Sequence, residues 1–137
     1  MRKLALVLLL LAAACATGGK RGESDSPSIV GSYLLTRIDN RALPTYSPTE
    51  PNVTVHAGSL VLGRAGAFSL TLVARNSPQM PPMERSSRGS YEATGDSVLT
   101  VTPADAPGSP IVYRVVRAGV QLRLRDPQGH RYEFTVR

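Results

Sequence analysis

The sequence of 137 residues contains one cysteine, no tryptophan and only two phenylalanines. A disulfide framework is excluded, because a lone cysteine has no partner within the chain. Lysine is absent after Lys20, so arginine supplies every permanent positive charge from Arg37 onward. The length fits one domain, which excludes a large multi-domain enzyme. With 42% hydrophobic and 19% charged residues, the chain is expected to fold rather than to remain disordered.

The start of the chain has the organisation of a bacterial export signal. Arg2 and Lys3 are followed by an apolar segment and then by small alanines. The apolar run from Leu4 to Ala14 covers 11 residues, whereas a transmembrane helix needs about 20. We therefore predict a signal peptide over residues 1–14 that is removed after export, and not a membrane-spanning anchor.

Cys15 follows the alanines directly, and this arrangement resembles the lipobox of bacterial lipoproteins. The resemblance implies that the Cys15 thiol receives a diacylglycerol, that cleavage precedes this residue, and that the new amino group is acylated. Several acyl chains would anchor the protein stably in a membrane. Ala16 stands where inner-membrane lipoproteins carry Asp, so the resemblance favours the outer membrane and an extracytoplasmic location. The alternative is ordinary cleavage near Ala14, which would leave a free thiol in a secreted chain.

Residues 15–28 are rich in Gly, Ser and charge and cannot bury much surface, so we predict a flexible tether. The chain has 16 Lys and Arg against 10 Asp and Glu, a net charge of +6. Without Arg2 and Lys3 of the signal peptide the balance is 14 to 10, or +4. A basic chain raises nucleic acid as a partner. Export from the cytoplasm argues against that partner, and we predict none.

From Ile29 onward, apolar residues recur at every second position, which is typical of β-strands with one wet face. Turn sequences, among them Gly95-Asp96 and 126–129, separate the apolar runs. The inward face of the first strand stays ambiguous, because Leu34 and Ile38 are apolar as well. The predicted strands are 29–38, 53–63, 67–75, 87–94, 97–102, 110–117, 120–126 and 130–137.

The eighth predicted strand needs a neighbour, and pairing with the first would close a barrel and remove both edges. We therefore predict that residues 29–137 form an all-β domain, an eight-stranded antiparallel up-and-down β-barrel. The meander and Gly31-Ser32-Tyr33 resemble small bacterial lipocalin-like (calycin-type) lipoproteins, in which Gly-x-Trp places an aromatic ring at the barrel floor. A second Gly-Ser-Tyr at 89–91 is either an internal duplication or a coincidence.

The interior of such a barrel holds either packed side chains or one small ligand. A filled core with the Tyr tips at the rims and a ligand cavity are both consistent with the sequence. Buried Tyr hydroxyls need partners, and a solvated or occupied cavity would supply some of them. If the ligand is a small apolar or amphipathic molecule, its predicted contacts are Tyr33, Phe68, Leu70, Tyr91, Tyr113, Leu122, Tyr132 and Phe134.

Two surface features are predicted partner contacts, although each is also typical of a plain solvated surface. The Pro-rich loop 76–86 carries Met80 and Met83, whose flexible thioethers suit a lid or a protein contact. Two Met are too few to predict a Cu(I) site. A basic outer face would suit an anionic surface or an envelope protein. The arginines expected to share that face are Arg114, Arg123, Arg125 and Arg131.

Catalytic signatures are lacking in the sequence. It has no Gly-x-Ser-x-Gly elbow and no His-x-x-x-His pair, and its acidic residues form no close pair. We predict no catalytic residues, no metal and no cofactor. The predicted function is a lipid-anchored envelope protein that binds a ligand. The alternative is a solid-core barrel that serves as an interaction module for an envelope protein or an anionic surface.

Overall fold

A computed structural model describes residues 28–137. The predicted signal peptide, Cys15 and the tether before Ser28 lie outside the described residues. Within 28–137 there are only strands and turns, and no helix is long and apolar enough to span a membrane. The strands are β1 (Gly31–Ile38), β2 (Arg41–Ala42), β3 (Thr45–Tyr46), β4 (Thr54–Leu62), β5 (Ala67–Arg75), β6 (Met83–Thr94), β7 (Val98–Pro103), β8 (Ile111–Ala118), β9 (Gln121–Arg125) and β10 (Arg131–Val136).

Eight of these strands form a closed antiparallel barrel. From β4 to β10 each strand pairs with the next one in the chain, and β1 pairs with both β4 and β10. Tyr33 lies opposite Val136 on one side and Leu60 on the other, so β1 joins the two ends of the meander. The predicted eight-stranded up-and-down barrel, the architecture of lipocalins, is confirmed.

The strand limits differ from the prediction in the long connections. The segment 39–52, predicted without strands, contains β2 and β3, which pair with the ends of β1 and β4. Met83 begins β6 opposite Ala74, so the predicted loop 76–86 shortens to 76–82. The turn after β6 has three residues, 95–97, rather than two. In each case the pairing partner decides where a strand begins and ends. The strand residues in these segments are mostly polar and show no apolar alternation, so the sequence pattern does not mark them.

Two β-bulges adjust the alternation and settle the face of β1. The register shifts between Leu35 and Arg37 in β1, and between Val55 and Ala57 in β4. A bulge adds one residue to a strand. Two residues that flank it therefore point to the same face although they are three positions apart rather than two. Leu35 and Ile38 are therefore both buried, whereas Leu34 is exposed.

At one end of the barrel the inward side chains are fully buried; we call it the closed end, and it includes the turns after β4, β6 and β8. Leu62, Leu99 and Leu122 are fully buried there. Tyr33 is buried with them, and its hydroxyl donates to the carbonyl of Ile29 at 2.6 Å. The aromatic residue of the first Gly-Ser-Tyr thus lies at the barrel floor, as the resemblance implied.

The second Gly-Ser-Tyr, residues 89–91, has the same role on the other side of the floor. The Tyr91 hydroxyl donates to the carbonyl of Gly63 at 2.7 Å. Both tyrosines face inward. Their hydroxyls donate to backbone carbonyls, that of Tyr33 in the segment before β1 and that of Tyr91 in the turn after β4. The similarity of the two sequence triplets therefore corresponds to a similarity of position.

Candidate ligand-binding cavity

A cavity of about 140 Å³ lies in the other half of the barrel, towards the end that we call the open end. Pockets for drug-sized ligands occupy about 300–1,000 Å³, whereas an apolar cavity of about 150 Å³ can bind benzene. The space suits a small apolar molecule or the apolar end of an amphipathic one. The lining consists of Leu35, Ile38, Ser47, Pro48, Thr49, Val55, Leu60, Phe68, Leu70, Leu72, Tyr113, Leu124, Tyr132 and Phe134.

Small residues on the inner face of the barrel help to keep this space free. Gly58 of β4 is buried, and a Cβ there would lie 2.9 Å from the Cδ2 atoms of both Leu35 and Leu72. Because Gly58 has no Cβ, the methyl ends of the two leucines can lie close to the backbone of β4. On β6, Ser87 stands opposite Leu70 in the register and adds little volume to the inner face.

The loop that follows β3 forms one part of the rim. The Ser47 amide donates to the carbonyl of Val53, and the Glu50 amide donates to Oγ of Ser47 at 3.3 Å. The Glu50 carboxylate pairs with the Arg85 guanidinium of β6 at 2.7 Å, and Arg85 also donates to Asn76. Both partners are about half exposed, so the pair is worth at most about 1 kcal/mol. It nevertheless ties the loop to β6.

On the opposite side of the rim, four side chains form what we call the mouth cluster: Asp39, Asp126, His130 and Tyr132. Oδ1 of Asp126 accepts from the His130 amide at 2.9 Å, and Oδ2 accepts from the Tyr132 hydroxyl at 3.2 Å. Oδ2 of Asp39 lies 3.1 Å from Nδ1 of His130, and Oδ1 accepts from the Arg131 amide at 2.8 Å. Closure of β1 on β10 joins these residues across 91 positions of sequence.

The mouth cluster places negative charge beside the polar part of the cavity. Burial, and then the negative charge of Asp126, raise the pKa of Tyr113. The same two causes, with the hydrogen bond to Asp126, raise the pKa of Tyr132 strongly. Both hydroxyls therefore stay protonated at physiological pH, and each can donate one hydrogen bond and accept others. Within residues 28–137, no Lys, Arg or His side chain lines the cavity, and no group of three or more His, Cys, Asp or Glu is placed to hold a metal ion.

The cavity brings together five of the eight predicted ligand contacts, namely Phe68, Leu70, Tyr113, Tyr132 and Phe134. The other three, Tyr33, Tyr91 and Leu122, belong to the packing of the closed end. Alternation identifies the inner face of a strand but not the height along the barrel axis at which a side chain lies. That these residues contact a ligand stays a prediction.

Sequence reasoning missed the rim residues Ser47, Pro48 and Thr49, and it gave Asp39 and Asp126 no part in the site. The first three lie in a loop without alternation. The sequence predicts Asp126 only as the start of a turn, and the turn hydrogen bond from the Gly129 amide to the Asp126 carbonyl is present. Its side chain has a second role, because Oδ2 accepts the hydrogen bond from the Tyr132 hydroxyl.

The predicted surface arginines share one outer face. Arg114, Arg125 and Arg131 lie directly opposite one another on β8, β9 and β10 and form what we call the arginine row. Arg123 lies opposite Glu133, with 3.9 Å between Nε and Oε1. Like charges in directly opposed positions repel, so the row concentrates positive charge on this face.

The two methionines predicted as partner contacts are exposed in the hairpin that connects β5 and β6. Met80 is 45% exposed and Met83 is 56% exposed. Met80 lies on the connection at the open end and Met83 is the first residue of β6; neither lines the cavity. A lid function for this hairpin therefore stays a prediction, and the loop that contacts the cavity is the one after β3.

No protein-family model matches the chain, and no curated protein matches it in sequence. Among solved structures the chain is similar to As-p18, an extracellular fatty acid binding protein, with a TM-score of 0.40 and 10% sequence identity. The similarity covers 79% of this chain and 95% of that one. At this level of similarity no property of that protein's ligand site is carried over to this chain, and the cavity is described by its own residues.

Proposed function

We propose that this protein binds a small apolar or amphipathic ligand inside the barrel and is not an enzyme. The observation that carries the proposal is the apolar cavity of about 140 Å³ between the packed closed end and the rim. Its lining is mostly aliphatic and aromatic, so an apolar ligand that enters through the open end would remove this apolar surface from water.

The proposal is tested by titrating the purified, isotope-labelled protein with 1-octanol and following amide shifts by NMR. We expect saturable shifts at residues near the cavity, such as Phe68, Leu70 and Phe134. Leu70→Trp should abolish them, because the larger ring fills the space. Val61→Trp is the matched control, since Val61 lies on the outside of β4. Shifts that do not saturate, or that survive Leu70→Trp, would contradict a cavity site.

We further propose that the protein is a lipoprotein anchored at the outer membrane through Cys15. The sequence features of the export signal support this proposal. Ser28 and Ile29 lead into the closed end, where the Ile29 carbonyl accepts from Tyr33, so an anchor attached there leaves the open end unobstructed. Cys15→Ser should abolish acyl labelling and membrane retention, and unchanged retention would exclude this anchor.

The arginine row favours a second function, in which the outer face docks on an anionic envelope surface. Arg114, Arg125 and Arg131 repel one another in the free protein, and a bound anion would relieve that repulsion. Co-sedimentation with vesicles containing phosphatidylglycerol tests this function. Arg125→Gln together with Arg131→Gln should weaken sedimentation at low salt, whereas Arg64→Gln, in the turn before β5, should not.

A further inference from the structure

We propose that the polar group of the ligand is an uncharged or cationic hydrogen-bond donor, and that the cavity discriminates against a carboxylate. This inference rests on the proposed binding function and specifies the chemical class of its ligand. The cavity would accept molecules such as alkyl alcohols or alkylamines, and it would disfavour free fatty acids of the same length.

The first step is the position of Asp126 relative to the lining. Tyr132 lines the cavity, and its hydroxyl donates to Oδ2 of Asp126 at 3.2 Å. A carboxylate thus lies one hydrogen bond behind the wall. The pKa of Tyr113, also in the lining, is raised by burial and then by the negative charge of Asp126.

The second step is the balance of charges around the mouth. Asp39 accepts from the Arg131 amide and faces the ring of His130, while the Arg131 side chain is exposed outside the barrel. On the other side of the mouth, Arg85 has the register position of an inward residue, opposite Leu72. Its guanidinium is already bound by the carboxylate of Glu50 and by Asn76. That pair is neutral as a unit, so Arg85 is not free to bind an anionic ligand.

The third step is the direction of the hydrogen bonds. The Tyr132 hydroxyl has one proton, which it donates to Asp126, so its lone pairs remain for the ligand. An alcohol, amide or ammonium can donate to those lone pairs. A carboxylate offers acceptors only, and at Tyr132 it would have to compete with Asp126 for the same proton. The Tyr113 hydroxyl has a proton to donate, but there too the carboxylate would face the negative charge of Asp126.

The experiment compares three ligands with one tail and different polar groups: 1-octanol, octylammonium and octanoate, each titrated near neutral pH at low salt. We expect octanol and octylammonium to bind at least about tenfold more tightly than octanoate, because a like charge near the mouth is screened only in part. Asp126→Asn keeps the shape and an acceptor for the amides but removes the charge. It should reduce the difference between octanol and octanoate at least about threefold and weaken octylammonium.

Two controls separate the possible outcomes. Asp96→Asn makes the same chemical change in the exposed turn after β6, at the closed end, and should leave all three affinities unchanged. If Asp126→Asn fails to fold, Tyr132→Phe serves instead and should weaken octanol while octanoate remains the poorest ligand. Octanoate binding as tightly as octanol would overturn this inference and leave the binding function intact. If none of the three ligands binds, the binding function itself is overturned.

Discussion

The contrast between the packed closed end and the cavity predicts how two inward leucines respond to truncation. Leu122 is completely buried, opposite Arg117 on β8 and Phe134 on β10. Leu122→Ala would open a new void in a packed region, and we expect a loss of about 3–4 kcal/mol in the free energy of unfolding. Leu70 is only half-buried and already borders the cavity. Leu70→Ala would enlarge an existing space, so we expect a loss of about 1–2 kcal/mol.

Thermal and urea unfolding, followed by circular dichroism, measure this difference. For a domain of this size each kcal/mol lowers the Tm by about 4 °C, so we expect about 12–16 °C for Leu122→Ala and about 4–8 °C for Leu70→Ala. Val116→Ala is the control, because Val116 is 56% exposed on the outer face of β8; it should change stability by less than about 0.5 kcal/mol. Equal losses at the two leucines, or a larger loss at Leu70, would refute the division of the barrel into two ends.

Three further predictions concern other parts of the barrel. Gly89→Ala should destabilise by about 2–3 kcal/mol in urea unfolding, because its Cβ would clash with the Thr102 carbonyl of β7, whereas Gly108→Ala has open space and should be neutral. The pKa of Tyr132 is raised in the folded protein, so with rising pH its hydroxyl ionises first in the unfolded chain. The free energy of unfolding should therefore fall as pH rises above 10, and it should fall less steeply in Tyr132→Phe. Arg125→Gln should raise the free energy of unfolding by about 0.5 kcal/mol at low salt, an effect that added salt removes; a loss of stability would contradict repulsion within the arginine row.

The eight barrel strands could be predicted from the sequence because burying one face of a strand imposes a period of two. Phe68, Leu70 and Leu72 on β5 show this directly, and so do Leu122 and Leu124 on β9. The bulge in β1 could not be predicted, since Ile38 is buried through a register shift that depends on β10. The short strands β2 and β3 depend likewise on their partners, and their residues carry no periodic signal.

The candidate site could be predicted only in part, for a related reason. Alternation places Tyr33 and Tyr132 on the same inner face, yet one is part of the floor and the other lies at the mouth. Height along the barrel follows from strand tilt and register, which are properties of the closed sheet. The pairing of Asp39 with His130 arises only when β1 closes on β10. The polar part of the site is therefore a consequence of closure.

A cavity kept for a ligand implies that stability and binding respond in opposite directions when the cavity is reduced. Val55 is buried on β4 and lines the cavity. Val55→Ile keeps a β-branched residue and adds one methylene to the inner face, so we expect unfolding free energy to rise by about 0.8 kcal/mol. The same methylene occupies ligand space, and the affinity for 1-octanol should fall. Val61→Ile is the matched change on the outside of the same strand and should alter neither quantity. If Val55→Ile lowers stability and leaves octanol affinity unchanged, the space beside Val55 is already filled, and the cavity cannot be the binding site.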